Sequence, residues 1–160
     1  MTANRSGIGH LHGEEGASGP GSTAGRGRGA GGPDAARLHG ARILVVDDEA
    51  AVLRMERMVL ERAGARVTAA ENAARALSRL DEDSFDLIVT DISMPGASGL
   101  WLAEQVGERL PEVPVVLTSG KDLTPQERAH IERVSRAFLP KPFEGADLLR
   151  TLADVLARQR

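Results

Sequence analysis

From residue 42 onward, short apolar runs and amphipathic stretches alternate five times. The first run, Ile43-Leu44-Val45-Val46, ends on Asp47-Asp48-Glu49. Val52, Met55, Val59, Leu60 and Ala63 then recur at mostly three- and four-residue steps, the spacing of one helix face. Gly64 stands where a helix C-cap belongs. Residues 66–70 read as a second strand. Asn72 is placed to cap a helix running to Leu80, with Ala73, Ala76, Leu77 and Leu80 inward. Residues 86–91 form a third strand whose apolar run, Leu87-Ile88-Val89, ends on Asp91 and is closed by the turn residues Met94-Pro95-Gly96. Ser98 opens a helix carrying Leu100, Ala103, Val106 and Leu110. Residues 114–118 are the fourth strand. Thr124-Pro125 starts a helix that reaches Val134, with Thr as N-cap and Pro in the first turn. Residues 136–139 are the fifth strand, ending at Pro140-Lys141-Pro142. The last helix covers about 144–157 with Leu148, Leu149, Leu152, Val155 and Leu156 inward.

Strands alternating with helices of this length predict an α/β domain, a doubly wound five-stranded parallel sheet with helices on both faces. The uninterrupted apolar character of 43–46, 87–89 and 115–117 fits a sheet covered on both sides. In such sheets ligands bind beyond the carboxyl ends of the strands. Four of the five strands deliver a reactive side chain there: Asp47 and Asp48, then Asp91, Thr118 and Lys141.

Residues 1–40 follow a different pattern. They hold 12 of the 18 glycines and no apolar periodicity, so the segment reads as a disordered tail preceding a domain over 41–160. Residues 16–23 have P-loop glycine spacing, but Ser22 replaces the lysine and no strand precedes it. Arg26 and Arg28 lie among glycines without the aromatic neighbours of an RNA-binding segment. His10 and His12 lack a third metal ligand nearby.

Composition narrows the chemistry. There is no cysteine, which excludes disulfides and thiolate sites. A net charge of −3 gives no reason to expect nucleic acid. No apolar run approaches the ~20 residues of a membrane span, and no signal-peptide core is present at the N-terminus, so the expected location is cytoplasmic with no membrane partner. Aromatic residues make up only 2%, so the core is aliphatic. Trp101, next to Leu100, is expected on the flank of its helix and partly buried.

Three carboxylates at one edge repel. Two unit charges ~4 Å apart cost about 4 kcal/mol at an effective dielectric of ~20. Either a carboxyl stays protonated or a cation balances the group. A hard divalent ion such as Mg²⁺ suits these oxygens. With it in place, a carboxylate can attack a phosphoryl group, with Lys141 balancing charge and Thr118 donating a hydrogen bond.

Residues 41–160 resemble a response-regulator receiver domain of two-component signalling. The resemblance is carried by Val45-Val46-Asp47-Asp48-Glu49, Asp91-Ile92-Ser93-Met94-Pro95-Gly96, Thr118-Ser119 and Lys141-Pro142-Phe143 at four strand ends in order. It implies a flavodoxin-like strand order, 2-1-3-4-5. It implies that Asp91 is the phosphoacceptor, and that Asp48, Asp91 and the Ser93 carbonyl hold Mg²⁺ with Asp47 acting through water. It also implies that Thr118 and Lys141 bind the phosphoryl group and that Phe138 is the aromatic switch residue, and it makes Lys141–Pro142 a bond that is often cis in the family. The implied partners are a histidine kinase or phosphotransfer protein as donor and a downstream protein target. Phe138 would fill space vacated when Thr118 is drawn toward a phosphoryl group, so the face made by the 124–134 helix, the fifth strand and the last helix would carry the output. Other readings of the same residues are a receiver module of a hybrid kinase with 1–40 as linker, a Mg²⁺-dependent phosphohydrolase using Asp91, and a phosphorylation-independent binding module. Hydrolases of the haloacid dehalogenase type carry a second Asp two residues after the nucleophile. Here that position is Ser93.

Overall fold

The computed structural model of the protein describes residues 32–159. Its elements are α1 (Pro33–Leu38), β1 (Arg42–Val46), α2 (Ala50–Arg62), β2 (Arg66–Ala70), α3 (Ala73–Glu82), β3 (Leu87–Asp91), α4 (Gly99–Arg109), β4 (Val115–Ser119), α5 (Pro125–Val134), β5 (Ala137–Pro140) and α6 (Gly145–Ala157). All strand pairs are parallel, in the order β2-β1-β3-β4-β5. This is the doubly wound sheet that the alternating pattern predicts.

Alternation along the strands sorts the core into two layers. Ile43, Val45, Leu87, Val89 and Val116 face one side, where Leu60 of α2 and Leu148 and Leu152 of α6 cover them. Leu44, Val46, Ile88, Val115 and Leu117 face the other, under Ala73 and Ala76 of α3, Leu102, Ala103 and Val106 of α4, and Ile131 of α5. Each fully buried aliphatic side chain of this kind contributes about 1.5–3 kcal/mol. The local caps agree with the sequence. Asn72, Ser98 and Thr124 each accept a backbone N–H from the first turn of their helix, and Thr124 forms a full capping box with Glu127.

The tail expectation is corrected at its end. Residues 33–38 form a helix packed on α6, with Leu38 fully buried and Ala35 nearly so. A six-residue helix is not stable alone; the apolar surface it buries against the first core layer holds it. The chain then turns at Gly40, whose φ of 77° favours glycine, and its N–H donates to Gly64 O at 2.8 Å. The P-loop-like stretch, the Arg26–Arg28 pair and His10 and His12 lie outside the described residues. Trp101 is on the flank of α4 and is 39% exposed, more open than expected, because Leu102 supplies the inward contact instead. Among the described residues no helix is long and apolar enough to cross a membrane.

Candidate functional site

The ladder of β1 continues one step past its last residue, where the Asp47 N–H donates to Ala70 O at 3.2 Å. Asp91 is the last residue of β3 and pairs in register with Thr118 of β4. The Lys141 N–H donates to Ser119 O at 2.9 Å and carries the edge past β5. Parallel pairing therefore delivers side chains separated by up to 94 residues to one rim.

At that rim the Lys141 Nζ donates to Asp47 Oδ2 at 2.8 Å and lies 3.5 Å from Asp91 Oδ2. Asp47 Oδ1 accepts the Glu49 N–H at 2.9 Å. Asp91 Oδ1 accepts the Ser93 N–H at 3.4 Å, a long bond. Asp47 and Asp91 are buried, and Asp48 is exposed beside them. One carboxylate oxygen from each of the three lies within 4.8 Å of the other two. Three carboxylates facing one ammonium leave the cluster short of positive charge. A hard cation coordinated by oxygens fits that deficit, and exposed Asp48 leaves a side open to its waters.

The electrostatics agree. Burial pushes the Asp91 carboxyl above the usual range; Lys141 pulls it back and Asp47 pushes it further up. Burial works against the Lys141 charge, but Asp47 and Asp91 outweigh it and hold the ammonium above the ordinary lysine value. Thr118 Oγ1 is buried without a hydrogen-bond partner, so its hydroxyl is left free at the strand end next to Asp91. An unmade bond of this kind costs about 1–3 kcal/mol. Gly99, the first residue of α4, is packed so closely that a Cβ there would sit 2.0 Å from the Asp91 carbonyl oxygen. Only glycine lets α4 begin directly against the backbone of Asp91.

The structure brings Asp47, Asp48, Asp91 and Lys141 together and sets Thr118 alongside. Ser93 follows Asp91 in the exposed turn. The Lys141–Pro142 peptide bond is cis. Phe138, expected to fill the space that Thr118 vacates on phosphorylation, sits one register step from the partner of Thr118. Its register partner is Leu117, and its ring packs on the layer containing Ile131, whereas Thr118 pairs with Leu139 of the opposite layer. Residues one step apart on a strand face opposite sides, so without a phosphoryl group the two side chains start from opposite faces of the sheet.

Sequence reasoning missed Glu56. It is 1% exposed on the inner face of α2, and its Oε2 has no partner. Burial, then the nearby Asp47 charge, push its carboxyl up to about 8, and Lys141 offsets this only in part. A signal was present, since position 56 falls inside the apolar stripe between Val52 and Leu60.

The fold and the site together define a doubly wound α/β domain whose acidic, hydroxyl and ammonium groups meet at the carboxyl edge of its sheet. The family model described as the response regulator receiver domain matches residues 43–153, and the chain belongs to that family. It is 36% identical over 130 residues to the sensory/regulatory protein RpfC of Xanthomonas campestris, covering 78% of this chain and 18% of RpfC. It is 32% identical over 117 residues to the transcriptional regulatory protein ResD of Bacillus subtilis, covering 73% of this chain and 48% of ResD. The chain thus spans under a fifth of one relative and about half of the other. Among solved structures, a CheY-like response regulator receiver domain protein from Methanospirillum hungatei superposes with a TM-score of 0.72. The identity is 27%, over 75% of this chain and 96% of that one. The protein is a receiver domain of two-component signal transduction.

Proposed function

We propose that this receiver accepts a phosphoryl group on Asp91 from a phosphohistidine of a histidine kinase or phosphotransfer protein and relays the event to a downstream protein. The observation that carries this reading is the position of Asp91, whose carboxylate lies 3.5 Å from the Lys141 ammonium and whose register partner is Thr118 with its unpartnered hydroxyl, at one sheet edge. An Asp91 oxygen attacks phosphorus, the P–N bond breaks with its electrons going to the imidazole, and an acyl phosphate forms. Lys141 then meets the new negative charge, and Thr118 gains the acceptor that it lacks. Asp48, Asp91 and the Ser93 carbonyl would hold Mg²⁺, with Asp47 acting through water. When bound, the ion neutralises charge on the carboxylates and on the transferring oxygens. The chain is a phosphoacceptor rather than a turnover enzyme, and its place of work is the cytoplasm.

The response to phosphorylation runs through the β4–α5 connection. Thr118 and Ser119 end β4, and five residues later Thr124 caps α5. A pull on Thr118 therefore reaches α5 along the backbone. Phe138, packed on the layer that holds Ile131, responds to α5 rather than to the Thr118 side chain. The output surface on this reading is α5, β5 and α6.

The test is incubation with acetyl phosphate and Mg²⁺, read by intact mass. The parent should gain one phosphate, and both Asp91→Asn and the chelator-treated parent should gain none. Equal labelling of Asp91→Asn would sink the assignment.

A further inference from the structure

Among the described helices, α5 has the thinnest anchorage. Ile131 is its only buried residue, and the helix packs chiefly on α4 rather than on the sheet. Toward their C-terminal ends the two helices part around a cleft of about 560 Å³, lined by Gly107 and Glu108 of α4 and Glu132 and Arg133 of α5. A Cβ at Gly107 would meet nothing within 4 Å, so the two helices do not touch at that position. At the edge of this cleft His130 Nε2 and Glu104 Oε1 are 2.6 Å apart, with both side chains partly shielded from solvent. Among the described residues it is the one side-chain hydrogen bond that joins α5 to α4.

We propose that the Glu104–His130 hydrogen bond is a latch that holds α5 against α4 in the unphosphorylated protein and sets how readily α5 moves. The imidazole N–H donates and the carboxylate accepts, a charge-assisted bond at the short end of its range. With Ile131 buried and Val134 only partly so, α5 is held weakly enough for such a bond to shift the balance between its arrangements. The link to signalling rests on the phosphoacceptor reading above. If a phosphoryl group on Asp91 favours the displaced α5, then removing the latch, which raises the population of that arrangement, favours phosphoryl binding by at most the same factor.

Native-state amide hydrogen exchange of the unphosphorylated chain tests the latch directly. Exchange over residues 128–134 is compared in the parent, Glu104→Ala, His130→Ala, the double variant, and Arg133→Ala as a control on the same helix. Each single variant should raise exchange there about three- to ten-fold, the range for a partly shielded polar pair. The double variant should add nothing further, because either change removes the same bond, and the control should leave exchange unchanged. Unchanged exchange in the single variants, multiplying effects in the double variant, or an equal rise in the control would each overturn the latch. Titration with beryllofluoride, a phosphoryl mimic, supplies the second readout. Tighter binding in the latch variants, by up to the factor seen in exchange, supports the coupling, and equal binding despite loosened exchange refutes it. A parent that binds no beryllofluoride and takes no phosphate refutes the phosphoacceptor reading instead, while the exchange data still decide the latch.

Discussion

The Lys141 ammonium sits 2.8 Å from Asp47 Oδ2 and, among the described residues, is the sole cation paired with a cluster whose Asp47, Asp48 and Asp91 oxygens crowd within 4.8 Å. Asp47 is 1% exposed, so it cannot offload its charge to water. Lys141→Ala should therefore lower stability in chelator, by about 3 kcal/mol on the scale of breaking one side of a buried pair. Saturating Mg²⁺ should then raise the thermal midpoint of the variant more than that of the parent, because the ion meets less positive charge. Equal increments in the two proteins would contradict this picture of the site.

Glu56 predicts a pH dependence. Its carboxyl is pushed up to about 8, against an ordinary value of 4.5. Between those values the unfolded chain releases a proton that the folded chain keeps, so stability falls as pH rises from about 4.5 and the loss levels off above about 8. Glu56→Gln should remove that slope, and Glu56→Leu should stabilise the fold at pH 8 by roughly 1–4 kcal/mol. Denaturant midpoints from pH 5 to 9 check both, and a parent as stable at pH 8 as at pH 5 contradicts the assignment.

Leu38 is completely buried although it lies in the stretch that reads as tail. Leu38→Ala should cost about 2–4 kcal/mol, the usual result of removing a buried leucine side chain. Deleting residues 1–38 should lower the thermal midpoint by several degrees. An unchanged midpoint would mean that α1 contributes nothing to the fold.

These cases mark how much could be read from the chain. The apolar runs at β1, β3 and β4 and the helix stripes announced the doubly wound sheet, because burial on both faces leaves a continuous apolar signature. Asp47, Asp48, Asp91, Thr118 and Lys141 stood out because each ends or follows such a run. Leu38 did not, since one leucine among glycines carries no period. Glu56 was hidden in a stripe scored by its apolar members. The separation of Phe138 from Thr118 depends on the β4–β5 register, which pairs Thr118 with Leu139. No local pattern encodes that register, because it is set by the packing of two strands that are distant in sequence.

Thr118 offers a prediction that divides stability from signalling. Its hydroxyl is buried without a partner, so Thr118→Val keeps the shape and removes an unmet polar group. The variant should be as stable as the parent or about 1 kcal/mol more so. It should still accept phosphate, yet lose most of the amide shift changes that phosphorylation produces over residues 125–134. Full shift changes in Thr118→Val would show that the pull on α5 comes from elsewhere.

The central claim is that the acyl phosphate forms on Asp91 and nowhere else. Borohydride reduction of the acetyl phosphate-treated protein converts a phosphorylated aspartate to homoserine, which peptide mass spectrometry locates. The account predicts homoserine at position 91 alone, dependent on Mg²⁺. Homoserine at 47 or 48, or none at 91 in a protein that has gained phosphate, would contradict it.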